Sequence, residues 1–170
     1  ADYLIAEAFY QLGDFPEAQR RYEAFLKDYP NHTLQREVTY ALGWSQLKQN
    51  NFARAAQSFD EIAKGNDELA HVSLYRRAVA EKSGGNRRAA DATLAEVVKR
   101  NPKGEFTDNA LFDLGTTQYE NRNIAEAKAN FLRITTEFPA SDVLADAFRM
   151  LGECFASESN FKEAREWYEK

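Results

Sequence analysis

The stretch LFDLGTTQYENRNIAEAKANFLRITTEFP, residues 111–139, holds the pattern that decides the fold, because the rest of the chain repeats it with variations. It predicts two short helices joined by a polar turn. Apolar residues of the second helix recur at the spacing of one helix face: Ile124, Ala127, Phe131 and Ile134. A helix pair of this length cannot bury its apolar stripe alone, so it requires a neighbour of the same kind.

The same pattern recurs five times along the chain, at intervals of 35 or 37 residues. A small residue lies at the centre of each predicted second helix: Ala18, Ala55, Ala90, Ala127 and Ala164. Another small residue lies in each predicted first helix: Ala6, Gly43, Ala78, Gly115 and Gly152. A large apolar residue follows each central alanine by four positions: Tyr22, Phe59, Leu94, Phe131 and Tyr168. Series that stay in phase over the whole chain predict five helix-turn-helix repeats.

These positions resemble the pattern of tetratricopeptide repeats, which combines a Leu-Gly pair, a central alanine and a closing proline. The Leu-Gly pairs are at 42–43, 114–115 and 151–152, and the closing prolines are Pro30, Pro102 and Pro139. The second repeat has Gly65-Asn66-Asp67 in place of the proline, and Arg77 and Arg87 replace expected apolar residues in the third. The resemblance implies an all-α fold, a right-handed superhelix (α-solenoid) of five helix-turn-helix repeats.

The predicted array is a single domain over residues 1–170, with repeats at about 1–32, 33–67, 68–104, 105–141 and 142–170. Predicted helices lie between residue 14 and Pro30 and near 34–49, 52–64, 68–83, 87–100, 107–120, 124–137, 142–157 and 161–170. The chain starts inside one predicted helix and stops inside another, so we expect it to be a fragment of a longer protein.

Two sets of polar residues are predicted to cap these helices. An Asp or Asn opens each second helix, where its side chain can accept a hydrogen bond from the helix amides: Asp14, Asn51, Asn86, Asn123 and Asn160. A hydroxyl residue follows three of the inter-repeat connections: Thr33, Thr107 and Ser141.

Composition narrows the classes of function. The chain has 22 Lys and Arg against 27 Asp and Glu, and its net charge of −5 argues against a nucleic-acid partner. No apolar run approaches the roughly 18 residues of a membrane helix, so no direct membrane insertion is expected. The single cysteine, Cys154, excludes an internal disulfide and is interpreted as a helix-packing residue.

The sequence contains no phosphate-binding loop, no His/Cys cluster at metal-ligand spacing and no pairing of a nucleophile with a base. It therefore predicts no catalytic, cofactor-binding or metal-binding residues and no enzyme activity. The functional hypothesis is a non-catalytic protein–protein interaction scaffold. Two alternatives stay open, an RNA-binding helical repeat and an accessory domain of a larger enzyme.

In the tetratricopeptide family the first helices line a concave groove where a peptide or partner helix binds. Projected onto that picture, the candidate partner-binding residues are Tyr10, Tyr40, Trp44, Leu47, Tyr75, Arg76, Lys82, Phe112 and Tyr119. Trp44 and Tyr119 are the expected anchors, because large aromatic side chains dominate interface energies. The aromatic column that includes Tyr40 has two interpretations, a groove lining and a packing layer between repeats.

Residues 71–105 hold eight Lys and Arg against four Asp and Glu. This excess is either ordinary solvated helix surface or a docking region for an acidic partner segment, with Arg76 and Lys82 steering it. Self-association through exposed terminal repeats is also expected, because no further helix follows the fifth repeat to cover Leu151, Phe155 and Tyr168. The closing pairs at 29–30 and 138–139 are similar to those of bacterial envelope tetratricopeptide proteins, which implies a periplasmic or cell-envelope location.

Overall fold

The computed structural model describes residues 2–170, in which every predicted helix is present. The ten helices are α1 Asp2–Gln11, α2 Phe15–Asp28, α3 Gln35–Lys48, α4 Phe52–Ala63, α5 Glu68–Ser83, α6 Arg87–Arg100, α7 Thr107–Glu120, α8 Ile124–Glu137, α9 Leu144–Ser157 and α10 Phe161–Tyr168. No β-strand occurs among residues 2–170, so the all-α prediction is confirmed. None of the helices in this part of the chain is long and apolar enough to span a bilayer.

The chain forms two compact units, the first up to Thr93 and the second from Leu94 to Lys170. In the first unit each helix from α1 to α4 packs against the next one along the chain. In the second unit α7 packs against α8, α8 against α9 and α9 against α10. Packing between consecutive helices is what a repeat array requires, since each repeat contacts only its neighbours.

The small residues of the pattern let the helices of a pair approach closely. All five central alanines are buried. A Cβ placed on Gly115 would lie 2.8 Å from the ring of Phe131, which is itself fully buried. Gly43 and Phe59 repeat this arrangement in the first unit, again at 2.8 Å. Glycine therefore allows the first helix to rest on the aromatic ring of the second.

The turn inside each repeat is made by a residue in the left-handed region. These residues have φ between 60° and 81°: Gly13, Asn50, Gly85, Arg122 and Ser159. The amide of the next residue donates to the carbonyl five positions earlier, as from Asn123 to Gln118 at 2.8 Å. This backbone bond is the Schellman closure of a helix.

The predicted side-chain caps of the second helices are mostly wrong. Only Asp14 is seen to cap, its carboxylate accepting from the amide of Glu17 at 3.2 Å. The side chains of Asn51, Asn123 and Asn160 make no capping hydrogen bond. The backbone bond of the Schellman closure already fixes their position, so the turn forms without the side chain. The cap predicted at Asn86 stays a prediction.

The predicted N-caps of three first helices are also wrong by one or two residues. The capping positions are Leu34, Phe106 and Val143, and none of them makes a side-chain cap. Thr107 lies inside α7 and its hydroxyl donates to the carbonyl of Asn101. Ser141 Oγ accepts from the amide of Val143 at 3.2 Å. The hydroxyls of Thr107 and Ser141 therefore bond to the connecting segments instead of capping a helix.

Arg77 shows how the third repeat accommodates a charged residue where the pattern expects an apolar one. Its guanidinium donates to Asp60 on α4 at 2.7 Å and to Glu81 on α5 at 2.9 Å. The Arg77 side chain is 30% exposed and that of Glu81 only 10%. The pair with Asp60 connects α5 to α4 at this position, where an apolar contact would otherwise be expected.

Cys154 lies fully buried in the core of the second unit, together with Leu111, Phe131 and Leu151. Burial raises the pKa of its thiol to about 11, so the thiol stays protonated at neutral pH. The interpretation of Cys154 as a packing residue is confirmed.

The expected exposure of the stripe in the fifth repeat is only partly present. Leu151 has no exposed surface, because the core of α7, α8 and α9 covers it, so that expectation was wrong. Phe155 is half-buried, and the ammonium group of Lys128 lies 4.8 Å from its ring. Tyr168 is 48% exposed and Phe161 69%.

Candidate partner-binding site

A cavity of about 450 Å³ opens in the first unit, between residues of α1, α2, α3 and α5. Its aromatic lining consists of Tyr3, Tyr10, Tyr22, Tyr40 and Trp44. Leu69 of α5 closes one side. The volume lies within the range of about 300–1,000 Å³ that is usual for small-molecule sites. A few side chains of a partner could therefore enter this cavity.

Helical spacing explains why these side chains converge. On α1, Tyr3, Glu7 and Tyr10 follow one another at i, i+4 and i+7, so they share one helix face. On α3, Tyr40 and Trp44 are also one turn apart and share a face. Tyr40 lies 37 residues after Tyr3, so equivalent faces of two successive repeats meet at the cavity.

The cavity wall is also the outer layer of the core. The ring of Tyr40 lies 5.6 Å from that of Phe59, and the indole of Trp44 lies 6.2 Å from the same ring, both edge to face. Phe59 has no exposed surface. On the other side, Tyr3 and Tyr22 are 6.4 Å apart. The ring of Tyr40 thus packs on the core and also lines the cavity.

A carboxylate organises the tyrosine hydroxyls at this wall. Tyr22 donates its hydroxyl hydrogen to Glu7. Burial raises the pKa of Tyr22 above its ordinary value, and the bond to Glu7 raises it further. The pKa values of Tyr3 and Tyr10 are raised by burial and then by the Glu7 charge. The hydroxyls therefore stay protonated at neutral pH, beside a carboxylate.

Arg76 lies against the cavity wall. Its guanidinium carbon is 4.9 Å from the centroid of the Trp44 ring and 5.5 Å from that of Tyr75. These are cation–π distances. The structure thus places Tyr75 and Arg76, two of the candidate residues, beside Trp44, and Arg76 is half-buried there.

The remaining candidate residues do not line the cavity. Leu47 packs against the cluster of Ala55, Phe59 and Ala80, and Lys82 is exposed on α5. Phe112 and Tyr119 belong to the second unit, where both are half-buried against its core. The cavity thus contains three of the nine candidates, Tyr10, Tyr40 and Trp44.

The sequence-based prediction missed the charged residues of the cavity, which are Glu7, Glu37 and Lys48. Two signals could have indicated them. Glu7 lies 37 residues before Trp44, at the equivalent position of the preceding repeat. Glu37 and Lys48 lie on the α3 face that carries Tyr40 and Trp44, at helical spacing.

The solved structures that share this fold include three at sequence identities below 20%. MamA aligns with a TM-score of 0.79 and 19% identity, over 97% of this chain and 91% of its own. The 41-end form of MamA from Desulfovibrio magneticus RS-1 aligns at 0.74 and 18%, over 98% and 89%. A tetratricopeptide repeat protein from Parabacteroides merdae ATCC 43184 aligns at 0.78 and 18%, over 98% and 65%.

Comparison with curated proteins gives no match. A family model described as "Tetratricopeptide repeat" matches residues 3–70, 40–81 and 112–170. A second model with the same description matches residues 72–104. Together the two models cover nearly the whole length, and the solved structures agree with them in fold. The chain belongs to the tetratricopeptide repeat family.

Proposed function

We propose that this chain is a non-catalytic scaffold that binds a segment of another protein, and that the cavity holds an anchoring side chain of that segment. The observation that carries the proposal is the cavity of about 450 Å³ whose wall includes Tyr3, Tyr10, Tyr40 and Trp44. Tyr and Trp bury large rigid surfaces at low entropic cost and keep a polar tip, which makes them frequent anchors of protein interfaces.

Membership of the tetratricopeptide repeat family supports this proposal, since its members typically bind protein partners. The partner segment is a peptide or a helix laid along the first helices. Phe112 and Tyr119 are proposed as further contacts on the second unit. Lys82 is proposed to steer acidic flanks of the segment, so its removal would change the association rate and salt dependence more than the dissociation rate.

Site-specific photo-crosslinking tests where the partner binds. A photo-reactive amino acid replaces Lys48, which is exposed and lines the cavity. The control replaces Gln57, an exposed residue of α4 that does not line it. In a complex isolated with the unmodified chain and then rebuilt with each variant, the expected result is a covalent product from position 48 and little from position 57. Equal products from both, or a stable complex with none from position 48, would exclude this cavity as the binding site.

Self-association is proposed from a second observation, the exposed leucines near α1. Leu4 is 69% exposed and Leu12 is 80% exposed. Isolated apolar side chains are common on surfaces, so association is expected to be weak and to depend on concentration. In sedimentation equilibrium, Leu4→Ser combined with Leu12→Ser is expected to lower the weight-average mass at high concentration. Leu132→Ser, a change of the same kind on a 37% exposed residue, serves as the control; an unchanged mass in the double variant would contradict the proposal.

A further inference from the structure

Two carboxylates line the same cavity as the aromatic rings, Glu7 from α1 and Glu37 from α3. Glu37 is exposed and forms no salt bridge with any residue between 2 and 170. Glu7 accepts the hydroxyl hydrogen of Tyr22. The pKa of the wall residue Tyr3 is raised by burial first, then by Glu7 and then by the charge of Glu37. Both carboxylates therefore lie close enough to interact with this ring.

Lys48 and Arg76 are cationic residues of the chain that lie near the cavity. Lys48 lines the cavity at the last turn of α3 and is exposed to solvent. Arg76 places its guanidinium over the indole of Trp44, with 4.9 Å between the guanidinium carbon and the ring centroid. The molecule thus already contains one example of a guanidinium group bound to an aromatic ring of this wall.

We propose that the anchoring side chain of the partner is a lysine or an arginine, held between the aromatic rings and the two carboxylates. The inference rests on the proposed function of the cavity and adds the chemistry of its occupant. Aromatic faces attract a cation through their negative quadrupole, and the attraction grows as the cation loses water. Carboxylates beside the rings favour a positive side chain and disfavour an acidic one.

The test uses four capped peptides, acetyl-Gly-Ser-X-Ser-Gly-amide, in which X is arginine, lysine, norleucine or glutamate. Each is titrated into the ¹⁵N-labelled chain, and the indole Nε1–H signal of Trp44 is followed, assigned by its loss in Trp44→Phe. The arginine and lysine peptides are expected to shift this signal in a saturable manner, with Kd values at least about 10-fold lower than those of the other two.

Charge-removing variants test the part played by the carboxylates. Glu7→Gln combined with Glu37→Gln is expected to weaken binding of the arginine peptide by about 10-fold, because glutamine keeps the shape and removes the charge. The matched control is Glu23→Gln on α2, an exposed residue that does not line the cavity, and it is expected to change nothing. If circular dichroism shows that the double variant is not folded, Glu37→Gln alone gives the answer, because this residue is exposed.

Each outcome separates the two proposals. Equal affinity for the norleucine peptide, tighter binding of the glutamate peptide, or no saturable shift with any peptide overturns the inference about the cation. A Glu7→Gln and Glu37→Gln variant that is folded and binds like the parent also overturns it. In all these cases the proposed function still stands if the partner crosslinks from position 48, and it falls if that crosslink is missing.

Discussion

Replacing Trp44 with alanine is expected to weaken binding of the partner protein by about 30-fold or more, which corresponds to about 2 kcal/mol. The indole is half-buried, lines the cavity and lies within cation–π distance of Arg76. Truncation would remove both the surface that a partner side chain contacts and the support of Arg76. Isothermal titration calorimetry with the isolated partner measures the change in Kd.

Two controls separate loss of binding from loss of structure, since Trp44 also packs against Phe59. Trp167→Ala makes the same chemical change in the second unit, where the indole stacks on Phe148 at 6.0 Å. Trp44→Phe keeps an aromatic face and is expected to bind with intermediate affinity. A Trp44→Ala variant that unfolds at the parental urea concentration and binds with the parental Kd would show that Trp44 is not an anchor.

Phe131→Ala is expected to lower the free energy of unfolding of the second unit by about 3–5 kcal/mol. The ring has no exposed surface and lies 5.7 Å from that of Phe112. It also fills the space left by the missing Cβ of Gly115. Without the Phe131 ring, α7 and α8 could fill the space only by shifting along their whole length. The substitution therefore leaves a cavity between them.

Urea unfolding measures this effect unit by unit, because the chain has two tryptophans and each unit contains one. In a Trp44→Phe background, the fluorescence of Trp167 reports on the second unit alone. Phe161→Ala is the matched control, since its ring is 69% exposed and removal is expected to change stability by about 0.5 kcal/mol or less. Equal midpoints for the Phe131 and Phe161 variants would show that the buried ring does not hold α7 and α8 together.

The positions of the helices could be predicted from the sequence because the 35- and 37-residue intervals align every helix with four others. Five weak local signals in phase are stronger than any one of them. The turn chemistry could not be predicted in the same way. Asparagine is a residue type typical of N-caps, and caps were therefore predicted at Asn51, Asn123 and Asn160. A left-handed residue before each one instead closes the turn through the backbone.

For the candidate site, the sequence predicted only which residues share a face of the same helix. Spacing within α1 and α3 identified Tyr10, Tyr40 and Trp44, which do line the cavity. The hydrogen bond between Glu7 and Tyr22 could not be predicted in this way, because Tyr22 is 15 residues away and lies on another helix. Arg76 was expected to steer an acidic partner segment. Its contact with Trp44 became visible only in the packing of α5 against its neighbours.

The shared layer of cavity wall and core limits how this protein can diversify. Any change of Tyr40 or Trp44 that alters the shape offered to a partner also alters the packing around Phe59. Substitutions of these rings that favour a new partner would therefore lower the stability of the fold before they raise the affinity for that partner. Glu37 and Lys48 are exposed and carry no such penalty. Among relatives that keep the wall but differ in partner, we expect the divergence to be concentrated at these two charged positions.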